Sequence, residues 1–336
     1  MFMYKGHIIH VSIGDKTHGN PGVVFFGDIP GTDMDKIAPI VRLRESVEDV
    51  IPSVVLLKPR DVKKLTFDAK FYWPLGKQGP ICGQGVIMAA RAIKEKYRVP
   101  DESIITLLPD QKFGPGAAPE KFHLKVSGNQ VLSMLDNMYI APVSKTDPAY
   151  AAIASALPNT VTDSIYRTNL GDYMCMFDNV QKLRASTDAF NAAYDKLIAV
   201  DKTAFGLLVV SPAEDGKGAE ATLSSMGETC ITCSNIGLEV GHLMNRFGLL
   251  PAIGKDGMQT FDITHPHRVV DSGEMGAKMT IKYNPFKNES RVDLYASVGE
   301  DIYIYKDSAS VWRQSRILPA KQIQLANTDH ILQHSR

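Results

Sequence analysis

Residues 79–93 read GPICGQGVIMAARAI. A cysteine sits in a glycine-rich turn, and an apolar run of helical character follows at once. The run 86–97, VIMAARAIKEKY, is apolar almost all round in its first turns. A helix of that kind is enclosed by other elements rather than laid on a surface. The stretch has a counterpart. CITCSN at 230–235 leads into IGLEVGHLMNRFG at 236–248, which stops at Gly248 with Pro251 beyond, a regular C-terminal signal.

Around these two helices the sequence is written in short strands. HIIHVSI (7–13), GVVFFG (22–27), SVVLLK (53–58) and KLTFDAKFYW (64–73) precede the first helix. SIITLL (103–108), FHLKVS (122–127) and QVLSML (130–135) follow it. GNPG at 19–22, PLGKQG at 74–79 and GPGAAPE at 114–120 supply the turns. In the second half, SIYRTNL (164–170) and YMCMFDN (173–179) flank Gly171-Asp172, which reads as hairpin chemistry. AFGLLVVSP (204–212), HRVVDS (267–272), AKMTIKY (277–283), RVDLYASV (291–298) and DIYIYK (301–306) are further strands. ASTDAFNAAYDKLIAV (185–200) reads as a helix capped by Ser186 or Thr187. Each half thus holds several strands, a small-residue turn carrying cysteine, and a buried helix. That repetition predicts a duplicated α+β architecture, with each helix buried inside its own sheet. The expected bounds are 1–140 and 141–315, with a polar tail at 316–336.

Composition narrows the function classes. The 336 residues carry 37 basic and 37 acidic side chains, and 44% are hydrophobic. With no net charge and no clustered basic surface, neither nucleic acid nor an anionic membrane is an expected partner. No apolar run approaches the roughly 20 residues that span a bilayer. The start, MFMYKGHIIHVS, lacks a charged region followed by a sustained apolar one, so no signal peptide is expected. The expectation is a cytoplasmic protein whose four cysteines, Cys82, Cys175, Cys230 and Cys233, are reduced.

Four stretches, in order, resemble the PhzF-like branch of the diaminopimelate epimerase superfamily. HGNPGVV (18–24) resembles the family's N-terminal GNP turn and strand. DKIAPIVRLRESV (35–47) resembles the segment that carries the family's catalytic glutamate and places Glu45 on it. PICGQG (80–85) resembles the family's CGH turn, and ETCITCSN (228–235) its second-half EDPATGSA turn. SGEMGAK (272–278) is a fainter echo of a glycine-rich segment near the end. The likeness runs from about residue 7 to 305. The departures are specific. Gln84 stands at the family's histidine, Thr229 at its aspartate and Cys233 at a glycine. Ala277 and Lys278 stand where an arginine is expected, and Pro39 interrupts the helix before Glu45.

The resemblance implies two pseudo-symmetric domains, each a mixed sheet wrapped around a central helix, and a cleft where the N-termini of the two helices face each other. It implies proton movement at an acidic carbon of a small carboxylate substrate, giving racemisation, epimerisation or double-bond isomerisation. It calls for neither metal nor cofactor. Removing such a proton creates an enolate whose charge must be carried, and helix N-termini offer backbone N–H groups and partial positive charge. Gly83 and Gly85 would let backbone approach an anion, and Thr232, Ser234 and Asn235 would add donors from the second turn. The resemblance makes Glu45 the proton carrier; the residue-level alternative is a solvated carboxylate beside Glu48 and Asp49.

Cys82 has several readings: a thiolate base at a helix start, paired with Cys233 or Cys230, or a small buried residue. Gln84 can hold a carboxylate but cannot shuttle protons. Asn20 lies near the expected cleft or fixes its turn. Cys230 and Cys233 form one CxxC, too few ligands for zinc, and no metal site is expected. The functional expectation is a PhzF-like, cofactor-independent isomerase acting on a small carboxylate. A two-cysteine racemase or a non-catalytic small-molecule binder are the alternatives, and a homodimer remains open.

Overall fold

The computed structural model describes residues 3–13, 20–41, 53–72, 78–79, 81–110, 121–128, 130–134, 139–161, 163–225, 228–230, 234–264, 278–286, 289–292, 294–307 and 309–315. The first half contains β1 (Met3–Ile13), β2 (Asn20–Phe26), α1 (Gly31–Ile37), β3 (Ser53–Asp61), β4 (Thr66–Tyr72), β5 (Gln78–Gly79), α2 (Gly83–Tyr97), β6 (Ser103–Pro109), β7 (Phe122–Ser127) and β8 (Gln130–Met134). The second contains β9 (Ile140–Pro142), α3 (Pro148–Ala156), β10 (Tyr166–Thr168), β11 (Tyr173–Met176), α4 (Val180–Ala185), α5 (Phe190–Val200), β12 (Leu207–Pro212), β13 (Gly218–Ser225) and β14 (Glu228–Cys230). It continues with α6 (Ser234–Arg246), β15 (Gln259–Thr264), β16 (Lys278–Asn284) and β17 (Glu289–Val292). The chain then runs into β18 (Leu294–Lys306) and β19 (Trp312–Ser315).

The first sheet closes on itself. β1 pairs with β2, and the order continues through β3, β4, β6, β7 and β8 to β18, which pairs back onto β1. Side chains alternate across this barrel wall, as the pleat requires. Ile9, Val11, Val24, Val55, Leu57, Phe67, Phe71, Ile105, Leu107 and Leu124 share a core with Val86, Ile87, Met88 and Ile93 of α2. The opposite face of β1–β4 is also covered: Val23, Phe25, Val54 and Leu56 pack with Met34 and Ile37 of α1 and with Trp312. Burial on both faces explains why 53–57 is buried without a break and reads as a continuous apolar run rather than an alternating one.

The second sheet has the order β17-β16-β15-β13-β12-β11-β10-β9, with β14 against β13. α6 packs on one face with Leu208, Val210, Phe261, Ile263 and Ile281. α3 and α5 cover the other, where Ile153, Phe190 and Leu197 meet Tyr173, Cys175, Leu207 and Val209.

The two halves repeat strand for strand. In the first, β1 and β2 are antiparallel, β2 and β3 parallel, β3 and β4 antiparallel, β5 folds back on β4, α2 follows, and β4 is parallel to β6. In the second, β10 and β11 are antiparallel, β11 and β12 parallel, β12 and β13 antiparallel, β14 folds back on β13, α6 follows, and β13 is parallel to β15. Two further antiparallel strands complete each unit: β7 and β8, and β16 and β17. The expected duplicated α+β architecture is therefore present. Sheet membership changes at β9 and changes back at β18, so 294–306 and 312–315 belong to the first sheet although they follow the second in sequence.

Some local expectations differ. The helix expected over 185–200 is shorter: Thr187–Ala189 form a 3-10 turn, α5 occupies 190–200, and a separate helix, α4, precedes them. Asn179 caps α4 by accepting from the Lys182 N–H (3.0 Å), Ser186 closes α4, and α5 begins at Phe190 without a side-chain cap. Pro39 does not break a long helix; it lies in a short 3-10 turn, Ala38–Ile40, that follows α1. α3 had no forecast, although Asp147 caps it through the Ala149 N–H (2.8 Å) and Pro148 starts it, both ordinary helix-start signals. The strand expected at 267–272 lies outside the described residues.

Candidate functional site

The start of α2 is built from three strands at once. Cys82 is the N-cap, in extended conformation, and its Sγ accepts from the Gly85 N–H (3.3 Å) while its carbonyl accepts from Val86 (2.9 Å). The same sulfur lies 3.6 Å from the Ser53 hydroxyl at the start of β3. Gln84, buried, donates from Nε2 to the Pro21 carbonyl of β2 (3.4 Å). β2 and β3 run parallel with Gly22 opposite Ser53, so Asn20, Pro21 and Ser53 gather at one end of the barrel beside Cys82.

Two glycines set this close fit. A Cβ on Gly85 would lie 2.9 Å from Phe71 and 3.0 Å from Val55, so its bare backbone is used by the sheet inside the barrel. A Cβ on Gly22 would lie 2.3 Å from Met88 and 2.7 Å from the Ser53 carbonyl. Gly83 is buried at the first helical position. Cys82 itself is partly exposed.

The second turn is the topological twin of the first. β14 folds back on β13 as β5 does on β4, and α6 then begins at Ser234. Cys233 directly precedes α6 in sequence as Cys82 directly precedes α2. Ser234 and Asn235 form the first residues of α6. Thr232 and Cys233 lie outside the described residues, as does Glu45. α2 and α6 approach each other, with Cα atoms within 8 Å. Their side chains belong to one continuous core.

One pair of residues was not anticipated as a site. Asp172, ahead of β11, and Glu239, in the second turn of α6, are two buried carboxyls whose electrostatics are linked. Burial pushes the Asp172 carboxyl up to about 6, and the influence of Glu239 pulls in the opposite direction. Gly171-Asp172 does turn the chain between antiparallel β10 and β11, with Gly171 at φ +96°, but the Asp172 side chain faces inward. The legible signal was Glu239: a single charge inside IGLEVGHLM, a helix already read as enclosed. Cys175, by contrast, is fully buried on β11 with its thiol pushed up to about 12 by burial, which leaves it chemically inert. Among the described residues no group of three His, Cys, Asp or Glu is placed to hold a metal ion, and no helix is long and apolar enough to cross a membrane.

No family model matches the sequence, and no curated protein matches it either. Solved structures do match. A phenazine biosynthesis protein of the PhzF family from Bacillus anthracis superposes with a TM-score of 0.59 at 10% identity, over 91% of this chain and 100% of the other. One from Enterococcus faecalis gives 0.58 at 11% identity, over 90% and 100%. A predicted epimerase from Pseudomonas aeruginosa gives 0.60 at 14% identity, over 88% and 98%. At these identities the likeness speaks to architecture, and it spans nearly the whole length of each chain. The protein has the PhzF-like fold of the diaminopimelate epimerase type.

Proposed function

We propose that the chain is a cofactor-independent isomerase that moves a proton on a small carboxylate-bearing metabolite. The observation that carries the reading is the strand-for-strand duplication around α2 and α6, which gives two equivalent helix starts on helices that approach each other. Each is begun by small or polar residues: Cys82–Gly85 in one half and Thr232–Asn235 in the other. Two such starts hold a carboxylate and the enolate formed beside it, because donors and partial charge are fixed in advance of the reaction. Glu45 takes the proton from one carbon and returns it at another; burial in a closed cleft raises a glutamate toward the working pH. Gln84 and Asn20 orient the substrate without titrating.

One observation favours a second reading. Cys82 and Cys233 each directly precede a central helix in sequence, as a two-thiol racemase calls for, one sulfur taking the proton and the other returning it on the opposite face. Against this, the Cys82 sulfur is engaged as a helix cap and with Ser53. The engagement of Gln84 with a backbone carbonyl suits a third reading, a binder without catalysis.

The test begins with a thermal-shift screen of small carboxylate metabolites on the full chain. Ligands that stabilise it are then incubated in deuterium oxide and followed by proton NMR. Exchange that is lost in Glu45→Gln and retained in Cys82→Ser supports the isomerase. The reverse pattern supports the thiol pair, and binding without exchange supports the binder.

A further inference from the structure

The outer face of β1–β4 carries a small core of its own. Val23, Phe25 and Val54 of the sheet meet Met34 and Ile37 of α1 and Trp312 of β19 there. α1 is seven residues long and has no side-chain cap. A helix that short is not stable by itself. Yet Met34 and Ile37, with Ala38 of the 3-10 turn that follows, are fully buried. Part of what covers them comes from the last strand: β19 ends the first sheet, pairs with β18 and approaches the 3-10 turn.

Four residues fasten the two pieces together. Tyr4 of β1 donates from its hydroxyl to Asp33 Oδ2 of α1 (3.3 Å) and stacks on the Trp312 ring, with centroids 5.7 Å apart. Lys306, at the end of β18, holds its Nζ 4.6 Å from the centre of the same ring and 3.8 Å from Asp33 Oδ1. The Trp312 indole N–H has no hydrogen-bond partner among the described residues, so stacking, packing and the cation over its face hold the ring. The turn that delivers Trp312 is well bonded. Asp307 accepts the N–H groups of Ala309 and Val311 through one carboxylate oxygen (2.9 Å each) and Arg313 Nε through the other (2.9 Å).

We propose that β19 is a strap. With Tyr4 and Lys306 it locks α1 and the 3-10 turn onto the outside of the first barrel, and this layer opens as one unit while the barrel around α2 stays folded. The inference does not rest on the proposed function. Met34, Ile37, Ala38 and Trp312 all belong to the outer core, and none of them enters the core around α2. A layer with its own apolar contacts can open below the free energy of global unfolding. The strap also backs the candidate site. Val54 packs in the outer core, and its chain neighbour Ser53 stands beside Cys82. Residues 42–52, Glu45 among them, connect Val41, the last buried residue of the layer, to Ser53.

The experiment is amide hydrogen exchange of the full chain by mass spectrometry, at urea concentrations below the unfolding transition. In native protein, residues 34–41 and 312–315 are expected to open with one common urea dependence, at protection at least about tenfold below that of 86–93. Trp312→Ala should lower protection of both stretches by at least about tenfold and leave 86–93 unchanged. Trp312→Phe, which keeps a ring against Tyr4, should lower it less. The native measurement decides the matter even where the alanine variant folds poorly. Different urea dependence for the two stretches, loss confined to one of them, or equal loss at 86–93 overturns the proposal.

Discussion

Replacing Gly22 by alanine probes how tightly the start of α2 is set against its sheet. The added Cβ falls 2.3 Å from Met88 Cε, 2.5 Å from its Sδ and 2.7 Å from the Ser53 carbonyl oxygen. Met88 is fully buried on α2, so its end has no solvent to swing into. The Ser53 carbonyl belongs to the parallel β2–β3 pairing and cannot retreat without disturbing it. Overpacking of this kind costs about 1–3 kcal/mol. The lower unfolded-state entropy of alanine returns about 0.4–1 kcal/mol. The net expectation is a loss of about 1–2 kcal/mol, read from urea unfolding by circular dichroism at pH 7. Gly31→Ala is the control, since a Cβ there meets nothing within 4 Å at the first position of α1. Shortening Met88 to alanine opens room beside position 22, so the double variant should be more stable than the sum of the two single losses predicts, by about 1 kcal/mol. Gly22→Ala as mild as Gly31→Ala, or additivity with Met88→Ala, refutes the close fit.

The remaining predictions concern caps and charges. Cys82→Ser keeps an N-cap acceptor and should unfold at the same urea concentration as native protein or higher, whereas Cys82→Ala should lose about 0.5–1 kcal/mol. Arg184→Met strands the buried Glu220 carboxylate, which Arg184 grips through both Nε and a terminal nitrogen. The expected loss is about 2–3 kcal/mol, below the value for a fully buried pair because Arg184 is 42% exposed. Asp172→Asn removes a carboxyl whose burial disfavours its charged form. The variant should gain stability relative to native protein as pH rises from 4 to 7, by about 2–3 kcal/mol at most, measured as the difference between paired urea titrations.

Many strands of the first sheet and the two enclosed helices were legible because burial on both faces leaves uninterrupted apolar runs, as in SVVLLK and VIMAARAI; β13 and β15 of the second sheet were not, since GAEATLSS and QTFDIT carry no such run. The duplication was legible as two cysteine turns each followed by such a helix. The closure of the first sheet was not, since it depends on β18 crossing back from residue 294 to pair with β1, a long-range event with no local signature. α3 was overlooked although Asp147-Pro148 announces it. At the site, Cys82, Gln84 and the glycines were legible as a turn, but their partners were not: Ser53 and Pro21 are ordinary strand residues that matter only through the parallel β2–β3 register. Asp172 was read as turn chemistry because its neighbours dictate a turn. What makes it unusual is Glu239, 67 residues on, and only the fold brings the two together.

The central claim is that two opposed helix starts hold a carboxylate while Glu45 moves its proton. A crystal structure of the full chain with a stabilising carboxylate from the thermal-shift screen tests it most directly. The account predicts a ligand carboxylate within hydrogen-bond distance of backbone N–H groups at the starts of both α2 and α6, with the Glu45 carboxyl facing the carbon next to it. A ligand bound elsewhere, or Glu45 turned to bulk solvent while the ligand sits between the two helices, contradicts it.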